Sequence, residues 1–198
     1  MSGRRAGQRF DAELGVTTEA LVFLGELDPD AVGAALEHAT HYEPTPVAEA
    51  EALLAASPLD PSRATFVDLG AGMGRVVLLA ARLPYRAVIG VEISPALVEI
   101  ARKNLAAGDA RRRASDVKIV CSDAAAYRFP RGDLVVYLYN PFRGPVLEAV
   151  LAALRTKAGR EVVLLYHTAL EGGTIAADGS FEPIVDLGFG VVYRMLTR

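Results

Sequence analysis

Short apolar runs alternate with helix-patterned stretches along most of this chain. Thr65-Phe66-Val67, Ala87 to Val91, Val117 to Val120, Leu134 to Tyr139 and Val162 to Tyr166 are rich in β-branched and aromatic residues and bounded by turn formers. They read as strands buried on both faces. Between them the spacing turns helical. Val76 to Arg82 follows a glycine-rich turn at Gly70 to Gly74, and Ser94-Pro95 caps and opens a helix that runs to about Ala107, where Gly108 stops it. Leu147 to Leu154 is helical in the same way. The alternation predicts an α/β fold with a doubly wound, mostly parallel sheet and helices on both faces. The tail breaks the rule. Phe181 to Leu187 and Val191 to Leu196 are β-prone, with only Gly188 to Gly190 between them, so the sheet should finish as a C-terminal antiparallel hairpin.

Ahead of Thr65 the pattern is looser. Arg4, Arg5 and Gly7 suggest an irregular start, and Thr17 to Gly25 reads as a short helix ending on its glycine. Asp28-Pro29 has the cap and first-turn proline of a second helix. Two prolines in His41 to Pro46 demand a rigid connector, and a third helix runs from Val47 to about Ala56. The division expected is an N-terminal helical segment or lid over 1–46 and a main domain over 47–198.

Composition narrows the class. With 21 Lys and Arg against 24 Asp and Glu the net charge is −3, and 52% of the 198 residues are hydrophobic. Such a chain is too apolar for disorder and long enough for a full core. A pI near 5.7 argues against gripping nucleic acid as the main work, and Arg111-Arg112-Arg113 reads as a solvated helix end or loop. Nucleic acid is therefore an unlikely partner on this reading. Cys121 is the single cysteine, which rules out an intrachain disulfide and a multi-cysteine zinc site, and no metal is expected. No apolar segment follows the basic start, and Val76 to Ala81 is far short of the ~20 residues a bilayer span needs. These features suit a cytoplasmic protein with no membrane partner.

Candidate chemistry lies at the strand ends. Val67-Asp68-Leu69-Gly70-Ala71-Gly72-Met73-Gly74-Arg75 delivers a strand into a glycine turn and a helix, the edge at which α/β sheets bind ligands. Counted from Gly70, the third glycine stands fifth rather than sixth, so the nicotinamide fingerprint fails. No Gly-Lys-Ser/Thr follows either. Asp68 beside the loop is awkward for a pyrophosphate and suits a cationic ligand. Glu92 ends the second strand, 18 residues past Gly74, where an acid can accept both hydroxyls of a ribose. Asp123 follows the third strand, where an acid can accept an adenine amine while the Ala124 N–H donates to the ring; a helix N-cap is the plain alternative for Asp123.

Asp68-Leu69-Gly70-Ala71-Gly72-Met73-Gly74, Val91-Glu92-Ile93-Ser94 and Ser122-Asp123-Ala124 resemble the first three motifs of class I S-adenosylmethionine-dependent methyltransferases. The resemblance spans Tyr42 to Arg198. It implies a seven-stranded sheet and S-adenosylmethionine as cofactor, with Gly70, Ala71, Gly72 and Gly74 at its methionine part, Glu92 and Ile93 at the ribose, Asp123 and Ala124 at the adenine, and Asp68 near its amino group. Tyr42-Glu43-Pro44-Thr45-Pro46 is similar to the segment ahead of the first strand in amino-group methyltransferases, which places Tyr42 and Thr45 at the methionine carboxylate; a rigid helix-entry turn is the alternative. Closest in layout are small bacterial methyltransferases of undefined substrate.

Tyr139-Asn140-Pro141-Phe142 ends the fourth strand and resembles the Asn/Asp-Pro-Pro-Tyr/Phe motif of amino-group methyltransferases, one proline shorter. The resemblance implies that Asn140, Pro141 and Phe142 hold the acceptor, with Asn140 also bordering the cofactor. A turn opening the next helix is the other reading. His167 ends the fifth strand on the same edge, and an imidazole there suits a base near neutral pH. Of the other histidines, His38 is expected exposed and His41 adjoins the Tyr42 segment. Cys121 is expected as a buried strand-end residue. Methyl transfer to a nitrogen of a protein or small-molecule acceptor is the leading expectation. O-methylation of a small metabolite and a non-catalytic cofactor-binding scaffold are the alternatives, and the oligomeric state is not legible.

Overall fold

A computed structural model describes residues 3–20, 22–23, 41–108, 111–139, 144–156 and 160–196. In chain order the elements are α1 (Gly3–Leu14), β1 (Val22–Phe23), β2 (His41–Tyr42), α2 (Val47–Ala56), β3 (Thr65–Leu69), α3 (Arg75–Ala81), β4 (Ala87–Glu92), α4 (Pro95–Ala107), β5 (Val117–Cys121), a short turn of 3₁₀ helix (Ala124–Ala126), β6 (Leu134–Tyr139), α5 (Pro145–Arg155), β7 (Val162–His167), α6 (Gly172–Asp178), β8 (Phe181–Asp186) and β9 (Gly190–Met195). The last seven strands form one sheet in the order β5-β4-β3-β6-β7-β9-β8. Neighbours from β5 to β7 run parallel, while β9 runs antiparallel to both β7 and β8. This is the seven-stranded, doubly wound sheet with a C-terminal antiparallel hairpin that the sequence predicts.

Alternate residues on each strand feed two cores. Phe66, Val88, Tyr137, Leu165 and Val192 pack with Leu53, Val77 and Val98 of the helices on one face. Val67, Ile89, Val136, Leu138 and Leu164 pack with Leu147, Val150 and Leu154 of α5 on the other. Burial on both faces is why these strands read as continuous apolar runs. The strand order reverses between β3 and β6, which opens a crevice at their carboxyl ends, beside the turn at Gly70.

Three local readings are corrected. The irregular start is the helix α1, anchored by Phe10, which is buried and lies under the guanidinium groups of Arg75 and Arg82 at 5.9 and 5.1 Å. Thr17 to Ala20 is not helical, because distant partners claim its backbone. The Asp11 carboxylate accepts from the Thr18 and Glu19 N–H groups at 2.6 and 2.7 Å, and Asn104 Oδ1 accepts from the Thr17 N–H at 2.9 Å. Cys121 is exposed rather than buried, since β5 is the sheet's edge and only its Ile119 is buried. The helix predicted after Asp28-Pro29 and His38 lie outside the described residues. Among the described residues no helix is long and apolar enough to cross a membrane.

Candidate functional site

The glycine turn is shaped by backbone conformations that side chains resist. Gly70, Gly72 and Gly74 sit at φ 79°, 52° and 86°, all left-handed. The Gly70 and Ala71 N–H groups both donate to the Val91 carbonyl, at 2.8 and 3.0 Å, so the turn folds back over β4. Gly90 makes room for this, since a Cβ there would meet Ala71 at 2.9 Å. A Cβ on Gly72 would collide with the Cδ2–Cε2 edge of the Tyr42 ring, which packs against the turn.

Glu92 is buried at the end of β4 and braces the turn directly. Its Oε2 accepts from the Gly72 N–H at 2.8 Å and its Oε1 from the Ser94 N–H at 2.9 Å. Burial raises its pKa, while the bonds from Ser94, Gly72 and Ile93 pull the other way. A carboxylate offers about four lone-pair sites, so Glu92 keeps accepting capacity for a ligand. Asp68 is buried, and among the described residues no donor reaches its carboxylate. Burial, and then the neighbouring Glu92, push its pKa up to about 8. A buried acid in this condition is matched to a cation. Asp123 is exposed and accepts from the Ala125 N–H at 2.9 Å, which is the N-cap alternative, with Ala124 buried behind it and Ile93 half-buried alongside.

Arg75, Thr18, Glu19, Asp11 and Asn104, none of them a candidate in the sequence, fasten the turn to the N-terminal segment. Arg75, first residue of α3, is buried. Its Nε donates to Thr18 Oγ1 at 2.8 Å, Nη1 to the Thr45 carbonyl at 3.1 Å and Nη2 to Glu19 Oε2 at 2.7 Å, with Asp11 3.9 Å away. Asn104 on α4 donates to the Thr17 and Met73 carbonyls at 2.8 and 2.9 Å. The signal was present: a charged residue inside an otherwise apolar helix start, and an acid-rich segment ahead of it. The Tyr42 hydroxyl donates to the Thr18 carbonyl at 2.8 Å instead of standing free for a ligand, and Thr45 is buried.

The edge over β6 and β7 is built differently. His167 and Tyr139 are register partners on the face covered by α2, and their rings meet edge-on with centroids 4.5 Å apart. His167 does not face open space. Its Nε2 lies 2.6 Å from Glu49 Oε2 of α2, its Nδ1 lies 2.9 Å from Thr168 Oγ1, and Phe189 closes a third side. Burial lowers the His167 pKa, opposed by Glu49 and Glu43. Burial raises that of Tyr139 to about 12, helped by Glu43 and Glu49. Asn140, Pro141 and Phe142 lie outside the described residues. Among the described residues no group of three or more His, Cys, Asp and Glu is disposed to hold a metal.

Residues 66–157 match a family model described as a methyltransferase domain. No curated protein matches the chain. Solved structures share the fold. A predicted N6-adenine-specific DNA methylase from Listeria monocytogenes aligns at 13% identity and TM-score 0.60 over 78% of this chain and 52% of its own, so the chain spans about half that protein's length. The ribosomal protein L11 methylase from Lactobacillus delbrueckii aligns at 17% identity and TM-score 0.52 over 76% and 77%. The magnesium protoporphyrin IX methyltransferase from Synechocystis, solved with S-adenosylmethionine bound, aligns at 17% identity and TM-score 0.50 over 77% and 78%. These neighbours are named for DNA, protein and small-molecule acceptors. The expectation that nucleic acid is an unlikely partner gains no support from them.

Proposed function

We propose that this chain, whose residues 66–157 match a methyltransferase domain, is a class I S-adenosylmethionine-dependent methyltransferase and delivers the methyl group to a nitrogen of a protein or small-molecule acceptor. S-adenosylmethionine supplies an electrophilic methyl carbon on a cationic sulfur. The residues present suit it. Asp68 is a buried acid lacking a donor among the described residues, matched to the cofactor's cationic end, and left-handed glycines clear the backbone for close approach. Glu92 would add ribose hydroxyls to the two backbone N–H groups it already accepts. Asp123 and Ala124 would meet the adenine, Ile93 would pack along it, and Thr45 and the Tyr42 ring would border the methionine end. Residues 1–46 would act as the lid over this edge, held down by Arg75.

The observation that carries the nitrogen reading is the polar wall of Tyr139, His167 and Glu49 at the next strand ends, immediately before Asn140-Pro141-Phe142. Asn140 would orient the acceptor nitrogen and Phe142 would exclude water, so that alignment supplies much of the rate. The test uses radiolabelled donor with purified protein and a cell lysate, followed by separation of proteins, nucleic acids and small molecules and identification of the methylated atom. Methyl on nitrogen supports the proposal; methyl on a hydroxyl or carboxyl oxygen overturns it. Cofactor at about 100 times its dissociation constant should also stabilise the fold by roughly 2.7 kcal/mol.

A further inference from the structure

The geometry points to Glu49, held by His167, as the group that receives an alkylammonium acceptor and takes its proton. The inference rests on the nitrogen reading above and names its substrate class. Glu49 stands in the first turn of α2 with its side chain 37% exposed, whereas the His167 side chain beneath it is 4% exposed. Any acceptor over β6 and β7 therefore meets the carboxylate and not the imidazole. His167 acts as a positioning residue. An ionised carboxylate only accepts, so Nε2 carries the hydrogen and donates it to Glu49 across 2.6 Å, which leaves Nδ1 to accept from the Thr168 hydroxyl at 2.9 Å. Thr168 holds this place at φ 49°, a left-handed conformation uncommon for a β-branched residue and a recurrent mark of functional sites.

Charge selects the ligand. Facing His167 are Glu49 from α2, Glu43 from the connector and Tyr139 from β6, and Glu43 also reaches the Tyr139 hydroxyl. Two carboxylates against a neutral imidazole attract a cation and repel phosphate. Tyr137 of β6 stands within electrostatic reach of both this group and the acid beside the glycine turn. Tyr137 is fully buried, pairs in register with Asp68, and its hydroxyl, though near Thr45, has no hydrogen-bond partner of good geometry; it feels the charges of both Asp68 and Glu49.

The proton balance is simple. An alkylammonium nitrogen gives one proton to Glu49, and the freed lone pair forms the N–CH₃ bond. The S–CH₃ bond breaks with its electron pair staying on sulfur, which becomes neutral. A methylammonium leaves, and the proton passes from Glu49 to water.

The experiment offers the purified full chain radiolabelled donor with polylysine or with an adenine-rich single-stranded oligonucleotide, and measures cofactor affinity separately by calorimetry. Polylysine should be labelled at least about tenfold faster than the oligonucleotide. Glu49→Gln should lower kcat/KM for polylysine by about 10²-fold with cofactor affinity changed less than threefold, and should lower the His167 imidazole pKa read by NMR. His167→Gln should lower kcat more than KM and shift the pH profile. Labelling of the oligonucleotide instead, no labelling of either probe while cofactor binds, or unchanged transfer by Glu49→Gln each overturns the assignment. So does a loss of cofactor affinity in Glu49→Gln, which would make the residue structural. Failure of the parent protein to bind cofactor would instead overturn the methyltransferase reading on which all of this stands.

Discussion

The carboxyl edge of this sheet has two halves that are held together in opposite ways. Over β3 and β4 the glycine turn is clamped by buried charge on both sides: Glu92 accepts the Gly72 N–H from below, and Arg75 ties it to Thr18, Glu19 and Thr45 from the N-terminal side. Over β6 and β7 one half-exposed carboxylate, Glu49, rests on a buried histidine. The first arrangement suits a ligand whose shape never changes. The second leaves its charge in reach of solvent, as a site must if different acceptors are to enter and methylated product is to leave.

The largest expected effect comes from breaking the clamp. Arg75→Ala strands the Glu19 and Asp11 carboxylates in a largely buried setting and should cost about 3–5 kcal/mol of stability. Chemical denaturation would measure the loss, and limited proteolysis should cut the N-terminal segment first. A loss below about 1 kcal/mol would show that the ion pair is not what fastens the turn. Next comes Glu92→Ala, which leaves the buried Gly72 and Ser94 N–H groups unpaired at about 1–3 kcal/mol each. Cofactor affinity should fall by 10- to 100-fold, and, unlike a side chain that serves only the ligand, the apo protein should also melt lower. Affinity lost with an unchanged apo melting temperature would confine Glu92 to the ligand.

On the other half, Asn140→Ala should lower turnover by about 10²-fold, about 2.7 kcal/mol, with cofactor affinity changed by less than about fivefold. Titration calorimetry and single-turnover labelling on the same variant separate the two. Lost affinity with intact chemistry would move Asn140 to the glycine-turn half and blur the comparison. The smallest effect, counted per pH unit, is a pH dependence carried by Asp68. Its carboxyl titrates at about 8 in the fold against about 3.9 in an unfolded chain. The native state therefore holds the extra proton between these values, and apo stability on account of this group falls as pH rises from about 4 to 8, then levels. A cationic ligand favours the ionised form, so cofactor affinity should rise by up to about tenfold per pH unit below 8 with release of a proton. Asp68→Asn should flatten that slope; an equally steep slope in the variant would assign it to another group.

The two halves also differ in how they were written in the chain. The glycine turn, Asp68 and Glu92 stand within one βαβ unit, where local spacing dictates local geometry, and their places at the strand ends follow from apolar runs and glycines alone. The doubly wound, mostly parallel sheet and the final antiparallel hairpin were legible for the same reason, since strands buried on both faces and short turns leave few alternatives, whereas the order β5-β4-β3-β6-β7 came only with the tertiary structure. Glu49, His167, Tyr139 and Phe189 come from four distant segments, and Arg75 meets Thr18 across 57 positions. Such pairs cost chain entropy that no nearby residue announces, and only packing of α1 and α2 on the sheet brings them within bonding distance. The same force straightened Thr17 to Ala20: its local preference was helical, but Asp11 and Asn104 supply fixed acceptors for its N–H groups, and a buried hydrogen bond outweighs the few tenths of a kcal/mol per residue that separate helix from extended backbone.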